Sequence, residues 1–121
     1  MKISNELLSW VMGCTCEFLY TDENNLITFK PDHVLNIVTD SLSSYCNARG
    51  GHVDINIDTF IRIAKIKAFE AGYNIIEFGN QACVRRYGEY IKDCTSKPNS
   101  NCYYLRVDVI EALEWVKEQI K

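Results

Sequence analysis

Proline and glycine are scarce, two and six residues in a chain of 121. With 47% hydrophobic and 12% aromatic residues, that scarcity argues against disorder and describes a folded globule. Long apolar runs are missing as well. None approaches the ~18–20 residues that a membrane span requires. The opening M-K-I-S-N-E-L-L-S-W-V-M-G-C has too short an apolar tract, and too polar and acidic an interior, for a signal peptide. It reads as a first helix, and the chain is expected to be cytoplasmic, in a host cell, with no membrane partner. Basic charge is not in excess either: thirteen Lys and Arg against sixteen Asp and Glu give −3. The length predicts a single domain, 1–121, able to bury a core without covalent staples.

Cysteine is what the chain does have. Six, at 14, 16, 46, 83, 94 and 102, would suggest disulfides in a secreted protein. Without an export signal they read as reduced thiols, which pack like small apolar groups. Zinc held by Cys14, Cys16, Cys94 and Cys102 is the sharper alternative, but neither pair has the C-x2-C to C-x4-C spacing of structural sites. No metal and no cofactor are therefore expected.

The charge is unevenly spread. Residues 1–60 carry three basic and eight acidic side chains, for −5, and residues 61–121 carry ten basic and eight acidic, for +2. A chain divided in this way can dock an oppositely charged surface with either half.

One stretch organises the rest: I-N-I-D-T-F-I-R-I-A-K-I-K-A-F-E-A-G, Ile55 to Gly72. Asp58 is the expected cap of a helix that Gly72 ends. Phe60, Ile61, Ala64, Ala68 and Ala71 form one stripe. Ile63, Ile66 and Phe69 lie around the rest of the cylinder, so this helix is expected to be covered on most sides.

Before it, Ser4 caps a helix through Met12 that stops at Gly13. Cys14 to Tyr20 and Leu26 to Phe29 make a hairpin, and Pro31 opens a helix over Asp32–Asn47 that stops at Gly50-Gly51. After it come strands over Tyr73–Phe78, Ala82–Tyr90 and Cys102–Val107, then a last helix with Asp108 and Glu111 as its capping box. The expected class is α+β: an antiparallel sheet, made of an N-terminal hairpin plus a three-stranded meander, covered by the central helix and by the N- and C-terminal helices.

Three segments carry a resemblance: N-E-L-L-S at Asn5–Ser9 followed by Gly13, the central helix closing in Gly72-Tyr73, and E-A-L-E-W-V-K-E-Q at Glu111–Gln119. Together they resemble a family of short uncharacterised phage and prophage proteins, over roughly a third of the chain and largely through core-type residues. The first-strand cysteines and Pro31–Gly51 depart from that pattern. The resemblance implies provenance from a phage or mobile element and brings no activity or catalytic residue.

Catalysis finds little support. A reactive cysteine needs a neighbouring base; His33 and His52 are distant in sequence from most cysteines, though folding could bring His52 near Cys46. Gly50-Gly51-His52 lacks the pattern of a phosphate loop. Asp54 and Asp58, four apart, are better explained by the helix start than by acid–base work. No enzyme is expected.

Binding remains. An acidic patch of Asp22, Glu23, Asp32 and Asp40 could imitate a phosphate backbone. Arg85, Arg86, Tyr87, Tyr90, Tyr104 and Arg106 offer the residue types that dominate binding hot spots. The expected partner is a host protein, with inhibition or redirection of a host macromolecule, such as a defence-system component, as the outcome. Two alternatives use the same residues. Helix, three strands and helix from Asp58 onward resemble the order of double-stranded RNA-binding domains, with Arg85-Arg86 on phosphates. Arginines and tyrosines converging on a pocket could instead sequester a nucleotide. A homodimer paired through the Cys102–Val107 strand is a further possibility.

Overall fold

The first helix forms where its caps predict. In the computed structural model, α1 spans Asn5–Met12. The Ser4 hydroxyl accepts the Leu7 N–H at 3.0 Å, and Gly13 ends the helix at φ 78°. Leu7, Leu8, Val11 and Met12 are buried, as their spacing requires. The structure describes residues 2–22, 25–32, 46–49, 51–78, 81–94 and 102–120. They gather into two compact units, Met1–Arg62 and Ile63–Lys121, whose boundary falls inside the second helix.

In the first unit, β1 (Cys16–Thr21), β2 (Leu26–Pro31), β3 (Cys46–Arg49) and β4 (His52–Asn56) form an antiparallel sheet in the order β1-β2-β4-β3. The predicted N-terminal hairpin is β1 and β2. A bulge between Phe18 and Tyr20 breaks the predicted alternation, and Tyr20 is exposed. Helix α1 closes the outer edge of β1 with two side chains. Asn5 Oδ1 accepts the Phe18 N–H at 2.8 Å, and Ser9 Oγ accepts the Cys16 N–H at 2.9 Å. Residues four apart on a helix are separated by about 5–6 Å and alternate strand residues by nearly 7 Å, so the two acceptors match the two donors.

Pro31 ends β2 instead of starting a helix. The β2–β4 ladder covers only Leu26–Phe29, so the missing N–H costs no bond there. Residues 33–45 of the expected helix lie outside the described residues, but Cys46 and Asn47 are extended in β3. Gly51, at φ 81°, belongs to the β3–β4 turn and not to a helix stop. A paired glycine serves a tight hairpin as readily as a helix end.

Helix α2, Ile57–Glu70, begins one residue before the expected cap. Asn56 is the cap: its Oδ1 accepts the N–H groups of Asp58 at 2.8 Å and Thr59 at 3.4 Å. Gly72 ends the helix as predicted, with φ 96°. Tyr73 N–H donates to Ala68 O at 2.9 Å and Gly72 N–H to Phe69 O at 3.0 Å, the Schellman pair. Phe60, Ile61, Ala64 and Ala68 are buried, while Ile66 is 56% and Phe69 67% exposed. Cover on most sides, expected from composition, is thus corrected to cover along one stripe.

The second unit holds a three-stranded meander, β5 (Asn74–Phe78), β6 (Gln81–Arg86) and β7 (Glu89–Cys94), followed by α3 (Cys102–Gln119). It is a sheet of its own, so the single sheet expected from hairpin plus meander is corrected to two, because the hairpin takes β4 as its neighbour instead. Two expectations fail here for one reason. The strand drawn over Ala82–Tyr90 is two strands broken by a turn at Tyr87-Gly88, so the third place in the sheet is already filled. Cys102–Val107 is then free to be helix, and Asp108, expected as a cap, is fully buried within α3. Tertiary placement overrides the strand propensity of the local sequence. The helix packs across all three strands through Val109, Ile110, Ala112, Leu113 and Val116, all buried. Its first residues offer no strand edge, so the edges of this sheet are β5 and β7.

Candidate binding surface

The turn from β6 to β7 concentrates the residues of interest. Arg85 and Arg86 end β6, Tyr90 is the second residue of β7, and between them Tyr87 and Gly88 take φ 55° and 85°. Two successive left-handed residues give the turn whose twist suits a two-residue hairpin, normally built from Asn-Gly or Gly-Gly. A side chain in that conformation costs about 1–2 kcal/mol. Tyr87 does not recover the cost by burial: it is 88% exposed.

Both arginines are held by aromatic rings. Arg86 Nη1 donates to the Tyr73 hydroxyl at 3.1 Å, and its guanidinium carbon lies 4.9 Å from the centre of the Tyr73 ring and 5.2 Å from that of Tyr87. Tyr73 is itself fixed edge-on against Trp115, with ring centres 6.2 Å apart. Arg85 lies 4.8 Å over the Tyr90 ring and donates from Nη2 to Gly88 O at 2.7 Å. Each stack adds roughly 0.5–1 kcal/mol at an exposed site and leaves guanidinium edges for a partner.

Beside the turn runs a groove of about 370 Å³, lined by Phe69, Gly72, Asn74, Arg85, Tyr87 and Gly88. Both aromatic side chains that line it are largely in solvent. The bare glycine at 72 follows from the helix stop, which requires a positive φ.

Neither Cys83 nor Cys94, the two thiols described in this unit, offers a reactive sulfur. Burial first, then the Asp93 carboxylate, pushes the Cys83 thiol up against a partial opposing effect of Arg85. Burial, then Glu111, pushes Cys94 up to about 11. Both are neutral at physiological pH, and a neutral thiol is neither a nucleophile nor a ligand. Among the described residues no three His, Cys, Asp or Glu side chains gather as a metal-holding group. What the turn presents to solvent is aromatic and guanidinium surface.

Comparison with known protein families, characterised proteins and solved structures gives no match.

Of the residues singled out in the sequence, the structure brings Arg85, Arg86, Tyr87 and Tyr90 together. Tyr104 falls in the first turns of α3, with its side chain outside the described residues. Arg106 is half-buried on α3 and engaged there. Of the acidic residues, Asp22 and Asp32 stand at opposite ends of the β1–β2 ladder. Asp22 forms a turn, its Oδ1 accepting the Leu26 N–H at 3.0 Å; Asp32 is exposed after β2; Glu23 and Asp40 lie outside the described residues. Asp54 and Asp58 are not an acid–base pair: Asp54 is buried on β4, accepting the Thr28 hydroxyl at 2.7 Å, whereas Asp58 is exposed in the first turn of α2. Register places His52 opposite Arg49 and Cys46 opposite Ile55, at opposite ends of the β3–β4 ladder.

Phe69 was not among the candidates, although a signal existed. Arg62 and Glu70 both had to face water, and Ile66 lies four residues from each, so the wheel forces Ile66 and its neighbour Phe69 towards the same solvent side.

Proposed function

We propose that this chain is a non-enzymatic binding protein whose working surface is the groove between Phe69 and Tyr87, flanked by Arg85, Arg86 and Tyr90. The observation that carries the reading is two large aromatic side chains, 67% and 88% exposed, lining one groove with an arginine. Aromatic and arginine side chains supply most of the energy at protein interfaces. The strained turn that holds Tyr87 outward contributes nothing to the core, and such strain marks functional sites. A protein partner that inserts an apolar side chain and sets carboxylates against the guanidinium edges suits this chemistry. The resemblance to short phage and prophage proteins makes a host protein the proposed partner, and its inhibition or redirection the proposed outcome.

The test compares wild type with Phe69→Ser and Tyr87→Ser in capture from host lysate, identified by mass spectrometry. A stoichiometric partner held by wild type and lost by both variants is the expected result. A partner held equally by all three, or none at all, would count against the reading. Salt-dependent gel shifts with duplex DNA and RNA separate it from nucleic-acid binding: a shift abolished by Arg85→Glu would move the proposal to phosphate recognition. Heat on titration with linear or cyclic nucleotides would favour the sequestering alternative.

A further inference from the structure

Away from the aromatic turn, the first unit holds two thiols side by side. Cys14 Sγ and Cys16 Sγ are 3.6 Å apart, and the Cys16 thiol lies 3.4 Å from the Cys14 carbonyl oxygen. The two residues differ in access. Cys14 is half-exposed just after the Gly13 helix stop, and Cys16 is 3% exposed at the start of β1. Cys16 is also held from its backbone: Ser9 Oγ accepts its N–H at 2.9 Å and donates to its carbonyl oxygen at 3.3 Å. One sulfur can be reached from solvent while the other is fixed beside it. This is the arrangement of an attacking and a resolving thiol.

We infer that Cys14 and Cys16 form a dithiol–disulfide exchange site, oxidised by a low-molecular-weight disulfide of the glutathione class. In the first step the Cys14 thiolate attacks one sulfur of that disulfide. A mixed disulfide forms at Cys14, the small disulfide bond breaks, and one small thiol leaves with a proton. In the second step Cys16 gives its proton to solvent and its sulfur attacks Cys14 Sγ, expelling the second small thiol. The protein loses two hydrogens, and the small disulfide is reduced to two thiols.

The surroundings favour that order. Cys16 is held up first by burial, then by the hydrogen bond and the charge of Cys14, and last by Asp32. It is therefore the poorer attacker while Cys14 is free. Once Cys14 is capped, its charge and its thiol hydrogen bond are gone, and two of the four causes disappear with them. Closing the bond draws the sulfurs from 3.6 Å to about 2.05 Å. Two cysteines separated by one residue enclose a small ring, and strained disulfides are the readily reduced, exchanging kind. The site is a redox-responsive one and not a structural staple.

A glutamate-specific protease reads this site directly, because Leu7–Glu17 is bounded by Glu6 and Glu17 and contains no cysteine besides 14 and 16. The full-length protein is equilibrated in glutathione buffers from reduced to oxidised, quenched with acid, alkylated and digested. The expected result is a peptide that loses both alkylation sites together and is lighter by two hydrogens, reversibly on addition of reduced glutathione. Cys16→Ser should trap the mixed disulfide at Cys14, while wild type shows about tenfold less of it because the neighbouring thiol outcompetes solution thiol. Three outcomes would overturn the inference: a peptide alkylated twice in fully oxidised buffer, a wild type that accumulates mixed disulfide as Cys16→Ser does, or a bond from either sulfur to another cysteine. The wild-type peptide map requires no variant to fold.

Discussion

Tyr87 sets stability and binding against each other at one residue. Replacing it with Asn gives the turn the side chain that its φ favours. Tyr87→Asn is therefore expected to raise stability by about 0.5–1 kcal/mol in urea denaturation while abolishing capture of the partner. A loss of both would mean that the tyrosine is structural. Thr28 carries the opposite expectation. Its hydroxyl bonds a carboxylate in a buried place, so Thr28→Val should cost about 1–3 kcal/mol without touching binding. Cys94 predicts a pH dependence. Its thiol titrates at about 11 when folded against 9.0 otherwise, so the unfolded chain gives up this proton first. The stability that Cys94 contributes is full below pH ~9, falls as pH rises, and is gone above the folded value; the loss is on the order of 1–3 kcal/mol. Urea titrations across that window, with Cys94→Ala as the flatter control, measure it.

At the scale of elements, some caps and stops were legible in the sequence, as were the β1–β2 and β5–β6 pairings, whereas the pairings of β3, β4 and β7 were not. Ser4, Gly13 and Gly72 act through their own backbone neighbours, and all three stand where the sequence places them. Asn56 was passed over for Asp58 because both can cap and only the start of the helix, fixed by the end of β4, distinguishes them. Cys102–Val107 was misread because nothing within those residues reveals that Tyr87-Gly88 had already turned the chain and completed the sheet. The candidate surface was half legible: Arg85, Arg86, Tyr87 and Tyr90 announce themselves by type, while Phe69 emerges only from the geometry of the helix that carries it. The clasp of α1 on β1 makes its own prediction. Ser9→Ala should cost about 0.5–1.5 kcal/mol and leave the Cys16 amide open to hydrogen exchange, with amides in β2 protected as before.

For the whole molecule, charge and exposed apolar surface limit what the chain can engage. A net −3 repels the phosphate backbone, so no duplex shift is expected at ~0.15 M salt. No helix among the described residues is long and apolar enough to cross a membrane. What remains in excess is aromatic surface in the second unit, and the Phe69→Ser variant should therefore be at least as soluble as wild type. The first unit has a different consequence, which lies in the order of synthesis. The α1 side chains that clasp β1, and the β1 strand that pairs one edge of β2, emerge from the ribosome within the first 32 residues. The other edge of β2 must wait for β4, which begins at His52. A nascent chain paused between those points carries a clasped hairpin with the Leu26–Phe29 edge of β2 not yet paired, and for that interval a chaperone has something to hold.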